Sequence, residues 1–146
     1  MTSPVSPREK IVPSREKILV IKLSALGDFL MAMGAMAAIR RHHPDAHITI
    51  MTTKPFADMA SRSRYADAVE VVARAPFYNI AAWLRMFRFL NGGGFTRVYD
   101  LQLNGRSAFY FSMMLKKPQW NGAVRGASHN YAAENPAWRQ MHAFDR

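Results

Sequence analysis

The chain has 146 residues, with 20 Lys and Arg against 10 Asp and Glu and a formal net charge of +10. That length suits one domain with a core large enough to fold, and the absence of cysteine excludes disulfide staples and thiolate metal sites. No stretch approaches the roughly 20 apolar residues of a membrane-spanning helix.

Residues 1–16 carry Pro4, Pro7 and Pro13 and no apolar run. They are not a signal peptide and read as a disordered leader to a folded domain over residues 17–146. Ile18-Leu-Val-Ile21 is a short apolar run with the character of a strand buried on both faces. A turn, Ser24-Ala-Leu-Gly27, leads straight into a helix expected from Asp28 to Arg41. Its apolar stripe is Leu30, Met33 and Ala37, with Phe29 and Met36 beside it. Strand, tight turn and helix open a doubly wound α/β sheet, in which ligands bind at the carboxyl ends of the strands.

Asp28 has two readings that do not exclude each other. An acid at a helix start accepts hydrogen bonds from unpaired backbone N–H groups. The same position favours the ionised carboxylate that a general base needs. Gly27 gives the backbone close access to a ligand. Neither G-x-G-x-x-G nor G-x-x-x-x-G-K-[ST] occurs in this turn, so no dinucleotide or NTP phosphate loop is indicated.

Further along, His47 to Thr53 is a strand and Phe56 to Ser61 a short helix after Pro55. Ala68 to Ala73 is a third strand, and Phe77 to Leu90 a helix whose face is Ile80, Leu84 and Phe87, widened by Trp83, Met86 and Leu90. Asn91-Gly-Gly-Gly94 precedes a strand instead of following one, so it reads as a flexible connector. A fourth strand, Thr96 to Leu101, should lie beside the first, bringing Gln102, Asn104 and Arg106 to the rim that holds Asp28. Asn104 and Gly105 also fit a plain turn, and Arg106 a surface base in a first helical turn. Asp100 is expected to fix the loop by hydrogen bonds. Ser107 to Leu115 is a helix, Gln119 to Gly122 a short strand, and residues 123–136 a loop. His129 and His142 have no partners at metal-ligand spacing, and no metal is expected.

The charge is one-signed over a long stretch. From Val71 to Ala133 the only acid is Asp100, against Arg74, Arg85, Arg88, Arg97, Arg106, Lys116, Lys117 and Arg125. Such a surface steers anionic partners: nucleic acid, anionic lipid or phosphorylated sugars. The apolar helix with Arg85 and Arg88 on its flank fits either a core helix or one lying on a membrane surface.

Lys22-Leu-Ser-Ala-Leu-Gly-Asp28, the helix end Ile39-Arg-Arg-His-His-Pro-Asp-Ala46, Tyr65-Ala-Asp67, Tyr99-Asp-Leu-Gln-Leu-Asn-Gly-Arg-Ser-Ala108 and His142-Ala-Phe-Asp-Arg146 occur in an informative order. Together they resemble the amino-terminal half of the ADP-heptose:lipopolysaccharide heptosyltransferases, glycosyltransferase family 9. The resemblance implies a Rossmann-like open parallel sheet with helices on both faces, the acceptor-side half of a GT-B enzyme, with the donor domain absent from this chain. It implies inverting heptose transfer from ADP-heptose, a donor substrate and not a cofactor, to an inner-core sugar hydroxyl of lipopolysaccharide. Asp28 matches the catalytic Asp. Lys22, Ser24, Gly27, Gln102, Asn104 and Arg106 are the acceptor-side positions, Arg106 as a clamp for a carboxylate or phosphate. The implied location is cytoplasmic and peripheral on the inner membrane, with an anionic membrane surface as partner in preference to nucleic acid. The chain alone is expected to bind acceptor and to turn over negligibly. A non-catalytic basic domain binding anionic lipid or nucleic acid is the alternative.

Overall fold

Ile18, Leu19, Val20 and Ile21 are all buried, because the strand they form is covered on both faces. The computed structural model describes residues 14–130 and residue 137. In chain order the elements are β1 (Lys17–Ile21), α1 (Leu26–His42), β2 (His47–Thr52), α2 (Lys54–Arg62), β3 (Ala68–Val71), α3 (Ile80–Gly92), β4 (Arg97–Asp100), α4 (Gly105–Met113), β5 (Gln119–Gly122) and β6 (His129–Asn130). The strands form one six-stranded sheet in the order β3-β2-β1-β4-β5-β6, with every pairing parallel. This is a Rossmann-like, doubly wound α/β fold. Its winding reverses between β1 and β4, where Ile21 pairs with Asp100.

Each face of the sheet has its own apolar cluster. Ile18, Val20, Ile48 and Ile50 point to the face covered by α1 and α2, where Phe29 stacks on Phe56 with centroids 5.1 Å apart. Leu19, Ile21, Met51 and Val98 point to the face covered by α3 and α4, where Leu90, Tyr110, Met114 and Trp120 complete the cluster. Alternation along β1 thus feeds both layers.

The buried faces of the helices coincide only in part with the stripes their sequences indicated. On α1 the buried residues are Phe29, Met36 and Ile39, while Leu30 is exposed. The helix is apolar on nearly every side, so periodicity alone does not choose the face. On α3 the packed side is Leu90 with Met86 and Phe89; Ile80 and Leu84 are exposed. Asn91 does not break α3. Its amide donates to the carbonyls of Phe87 and Met113 and its oxygen accepts from Leu115 N–H, so the helix runs on to Gly92. Within the stretch expected to be loop, His129 and Asn130 pair with Asn121 and Gly122 as β6.

At the amino end, Arg15 and Glu16 belong to the fold and not to a leader. Arg15 donates to the carbonyls of Asp45 and Ala46, and Glu16 bridges His43 and Arg97. Residues 1–13 lie outside the described residues, as do most of residues 131–146, including His142. Among the described residues, no helix is long and apolar enough to cross a membrane.

Candidate active site

The carboxyl ends of β1 and β4 meet at the switch point, and the β1–α1 turn is anchored there from both sides. The side-chain oxygen of Gln102 accepts from the backbone N–H groups of Leu23 (2.8 Å) and Ser24 (3.2 Å). From the β2 side, Thr53 Oγ1 donates to the Leu23 carbonyl at 2.7 Å and Lys22 N–H donates to the Met51 carbonyl at 3.1 Å. A turn held by its neighbours on both sides presents the start of α1 in a fixed place. The Ser24–Ala25 peptide bond within it is cis.

Asp28 lies in the first turn of α1 and is exposed. The N-cap is Ala25, which makes no side-chain capping bond, so Asp28 is not the helix cap. Lys22 is buried under the turn, and its ammonium donates to the Leu101 carbonyl at 3.2 Å. Burial holds the Lys22 pKa below its ordinary value, opposed by the charges of Asp28 and Asp100. Lys22 therefore places positive charge within electrostatic reach of both carboxylates. Ser24 and Gly27 are exposed beside it. A Cβ at Gly27 would meet nothing within 4 Å, so no packing inside the domain requires glycine there. The missing side chain leaves the open side of the helix start accessible.

Asp100, at the end of β4, is only 2% exposed. Its Oδ1 accepts from the N–H groups of Gln102 (3.0 Å) and Leu103 (2.9 Å), and its Oδ2 accepts from Ser107 Oγ at 2.7 Å. Burial raises its pKa and outweighs the lowering by these hydrogen bonds and by Lys22. This carboxylate builds the β4–α4 turn, as its place in the strand end indicated. Leu103 is held there with φ 54°, a left-handed conformation uncommon outside glycine.

Two residues expected at the acceptor side have structural partners of their own. Asn104 is the N-cap of α4, accepting from the N–H groups of Arg106 and Ser107 in a capping box. Arg106 donates from Nε to Tyr110 Oη at 2.8 Å and from Nη2 to the Ala73 carbonyl at 3.1 Å. The fork formed by Nε and Nη2 is thus already engaged, which corrects the reading of that edge as a bidentate clamp. Instead Arg106 ties the start of α4 to the β3–α3 connection. There it lines a pocket of ≈ 640 Å³ together with Arg74, Phe77, Trp83, Arg85 and Met86.

Thr53 and this pocket were not legible as site features. The spacing Asn104-Gly-Arg-Ser107 did hold a signal, because a capping box needs polar side chains three residues apart. Among the described residues, no group of three or more His, Cys, Asp or Glu could hold a metal ion.

No family model and no curated protein sequence matches the chain. Solved structures do. The glycosyl transferase family 9 protein of Veillonella parvula DSM 2008 superposes with a TM-score of 0.62 at 22% identity, over 72% of this chain and 31% of that one. The E. coli heptosyltransferase WaaC with ADP-2-deoxy-2-fluoro heptose gives 0.65 at 18% identity, over 88% of this chain and 45% of that one. The same enzyme with ADP gives 0.64 at 17%, over 88% and 44%. The chain shares the fold of these glycosyltransferases. It spans less than half the length of each.

Proposed function

We propose that this chain is the acceptor-side domain of a glycosyltransferase that transfers heptose from ADP-heptose to a hydroxyl of an inner-core sugar of lipopolysaccharide. The observation that carries the reading is the exposed Asp28 carboxylate on a turn fixed from both sides at the switch point, above the buried ammonium of Lys22. The likeness in fold to E. coli WaaC, whose structure holds an ADP-heptose analogue, supports the donor.

In the proposed reaction the acceptor hydroxyl gives its proton to Asp28 as its oxygen bonds to the anomeric carbon. The bond from that carbon to the phosphate oxygen breaks on the opposite face, and ADP leaves with the electron pair, inverting the centre through an oxocarbenium-like state. Lys22 orients Asp28 electrostatically, while Ser24 and Gly27 leave the acceptor room to approach. Gln102 serves the site by holding the turn, Asn104 by starting α4, and Arg106 by shaping the pocket at the β3–α3 connection. The charge developing on ADP is met by groups outside this domain, so the 146-residue chain by itself binds acceptor and transfers negligibly.

The test is titration of the isotope-labelled chain with a soluble inner-core oligosaccharide ending in a sugar acid, followed by backbone NMR. Shifts are expected for the amides of Ser24, Gly27, Asp28 and Arg106. An oligosaccharide that leaves those signals in place at millimolar concentration overturns the assignment, and so does heptose transfer by the chain alone.

A further inference from the structure

A chain of polar side chains closes the amino edge of the parallel sheet, opposite the edge that carries the Asp28 turn. Its centre is His43, the C-cap of α1, whose side chain is 9% exposed. His43 Nδ1 lies 3.1 Å from Glu16 Oε2, and Nε2 lies 2.9 Å from Tyr99 Oη. An ionised carboxylate only accepts, so Nδ1 carries the hydrogen, and the bare Nε2 of the neutral ring accepts the Tyr99 O–H. Both nitrogens of the neutral imidazole are thereby matched. The imidazolium fits worse, because its Nε2–H meets the phenol oxygen and the phenolic hydrogen must turn away.

The same groups fasten the starts of β1, β2 and β4 together. Glu16 precedes β1, and its Oε1 accepts from Arg97 Nε, at the start of β4, at 3.1 Å. The Glu16 carbonyl accepts the N–H of His47, the first residue of β2, at 2.8 Å. The groups facing the His43 ring are Glu16 ahead of β1, Arg97 and Tyr99 from β4, and His42 from α1, edge-on with centroids 4.7 Å apart. Burial lowers the His43 pKa below its ordinary 6.5; the Glu16 carboxylate opposes this, and the charges of Arg97 and His42 add to it. On acidification the unfolded chain therefore takes up the proton first. The stability that the neutral ring contributes is complete above 6.5 and is lost as pH falls toward the folded value. A ring matched in one protonation state and mismatched in the other is an element that acid can open. We infer that Glu16, His43 and Tyr99 form a pH-sensitive latch on the amino edge of the sheet, shut while the ring is neutral and released when it is protonated, with the Asp28 turn at the other edge left in place. The inference does not rest on the transferase reading.

The experiment is an NMR titration of the isotope-labelled 146-residue chain from about pH 8 to about pH 4, reading the His43 ring nitrogens and backbone amide exchange. At the alkaline end Nδ1 is expected to carry the hydrogen. The ring is expected to charge below the ordinary 6.5. As it charges, exchange at the His47 amide, corrected for the intrinsic effect of pH, should accelerate about tenfold or more while Leu23 stays unchanged. Tyr99→Phe removes the donor to the neutral ring and should raise the midpoint of the titration. Glu16→Gln removes the charge that favours the cation and should lower it. Four results overturn the inference: the hydrogen on Nε2, charging at or above 6.5, a Tyr99→Phe midpoint that stays or falls, or His47 exchange that follows Leu23 throughout. All but the third are read on the parent chain, so they decide even where a variant fails to fold.

Discussion

Gln102 and Leu23 lie 79 residues apart in the chain and 2.8 Å apart in space, with the side-chain oxygen of Gln102 accepting the Leu23 N–H. The same oxygen takes the Ser24 N–H at 3.2 Å, so one amide at the end of β4 holds the turn that presents Asp28. Gln102→Leu keeps the volume and removes the acceptor, leaving two backbone donors unmatched. We expect a loss of roughly 1–3 kcal/mol in urea unfolding. Faster hydrogen exchange at Leu23 and Ser24 than elsewhere in β1 should accompany it. Uniform exchange would show that the turn is held in another way.

Asp100 gives the domain a signed pH dependence. Burial raises its folded pKa above the ordinary 3.8, against the hydrogen bonds it accepts. The folded state therefore keeps a proton that the unfolded chain has already lost. The stabilisation is complete below the unfolded value and is lost as pH rises through the folded one. Asp100→Asn can accept the same two N–H bonds and donate to Ser107 Oγ, but it does not titrate. The stability of the parent relative to this variant should be flat below about pH 3.8 and decline above it. A difference that rises with pH would reverse the assignment.

Gly122 is required by packing. A Cβ there would lie 2.7 Å from Trp120 Nε1 and 3.0 Å from Asp100 Cβ, and both residues are buried. Gly122→Ala should destabilise the domain by about 1–3 kcal/mol, measured by denaturant unfolding. Gly27→Ala, where a Cβ meets open space, should leave stability unchanged or slightly raised. Equal losses at the two positions would contradict this account of the glycines.

What the sequence made legible was local. The apolar run of β1, the turn after it and the helix beyond are all encoded within a few residues. The pairing of β1 with β4 followed from the order of elements. The anchoring of the turn was not legible, because Thr53 and Gln102 reach it from 30 and 79 residues away and neither spacing leaves a pattern. The face of α3 was ambiguous for a physical reason: both sides are apolar, and only the packed fold separates Leu90 from Ile80. Arg106 read as a ligand clamp from its type and place, yet Tyr110 one helical turn on and the Ala73 carbonyl take two of its nitrogens. A pair of residues as short as β6 carries no periodicity at all.

The central claim is that Asp28 removes the acceptor proton. Its most direct test is Asp28→Asn in a chain joining this domain to a donor-binding domain, with transfer rate and acceptor affinity measured on the same preparation. The account predicts a fall of roughly 10²–10⁴ in kcat with acceptor Kd nearly unchanged. An unchanged rate, or a loss matched by an equal loss of acceptor binding, would contradict it.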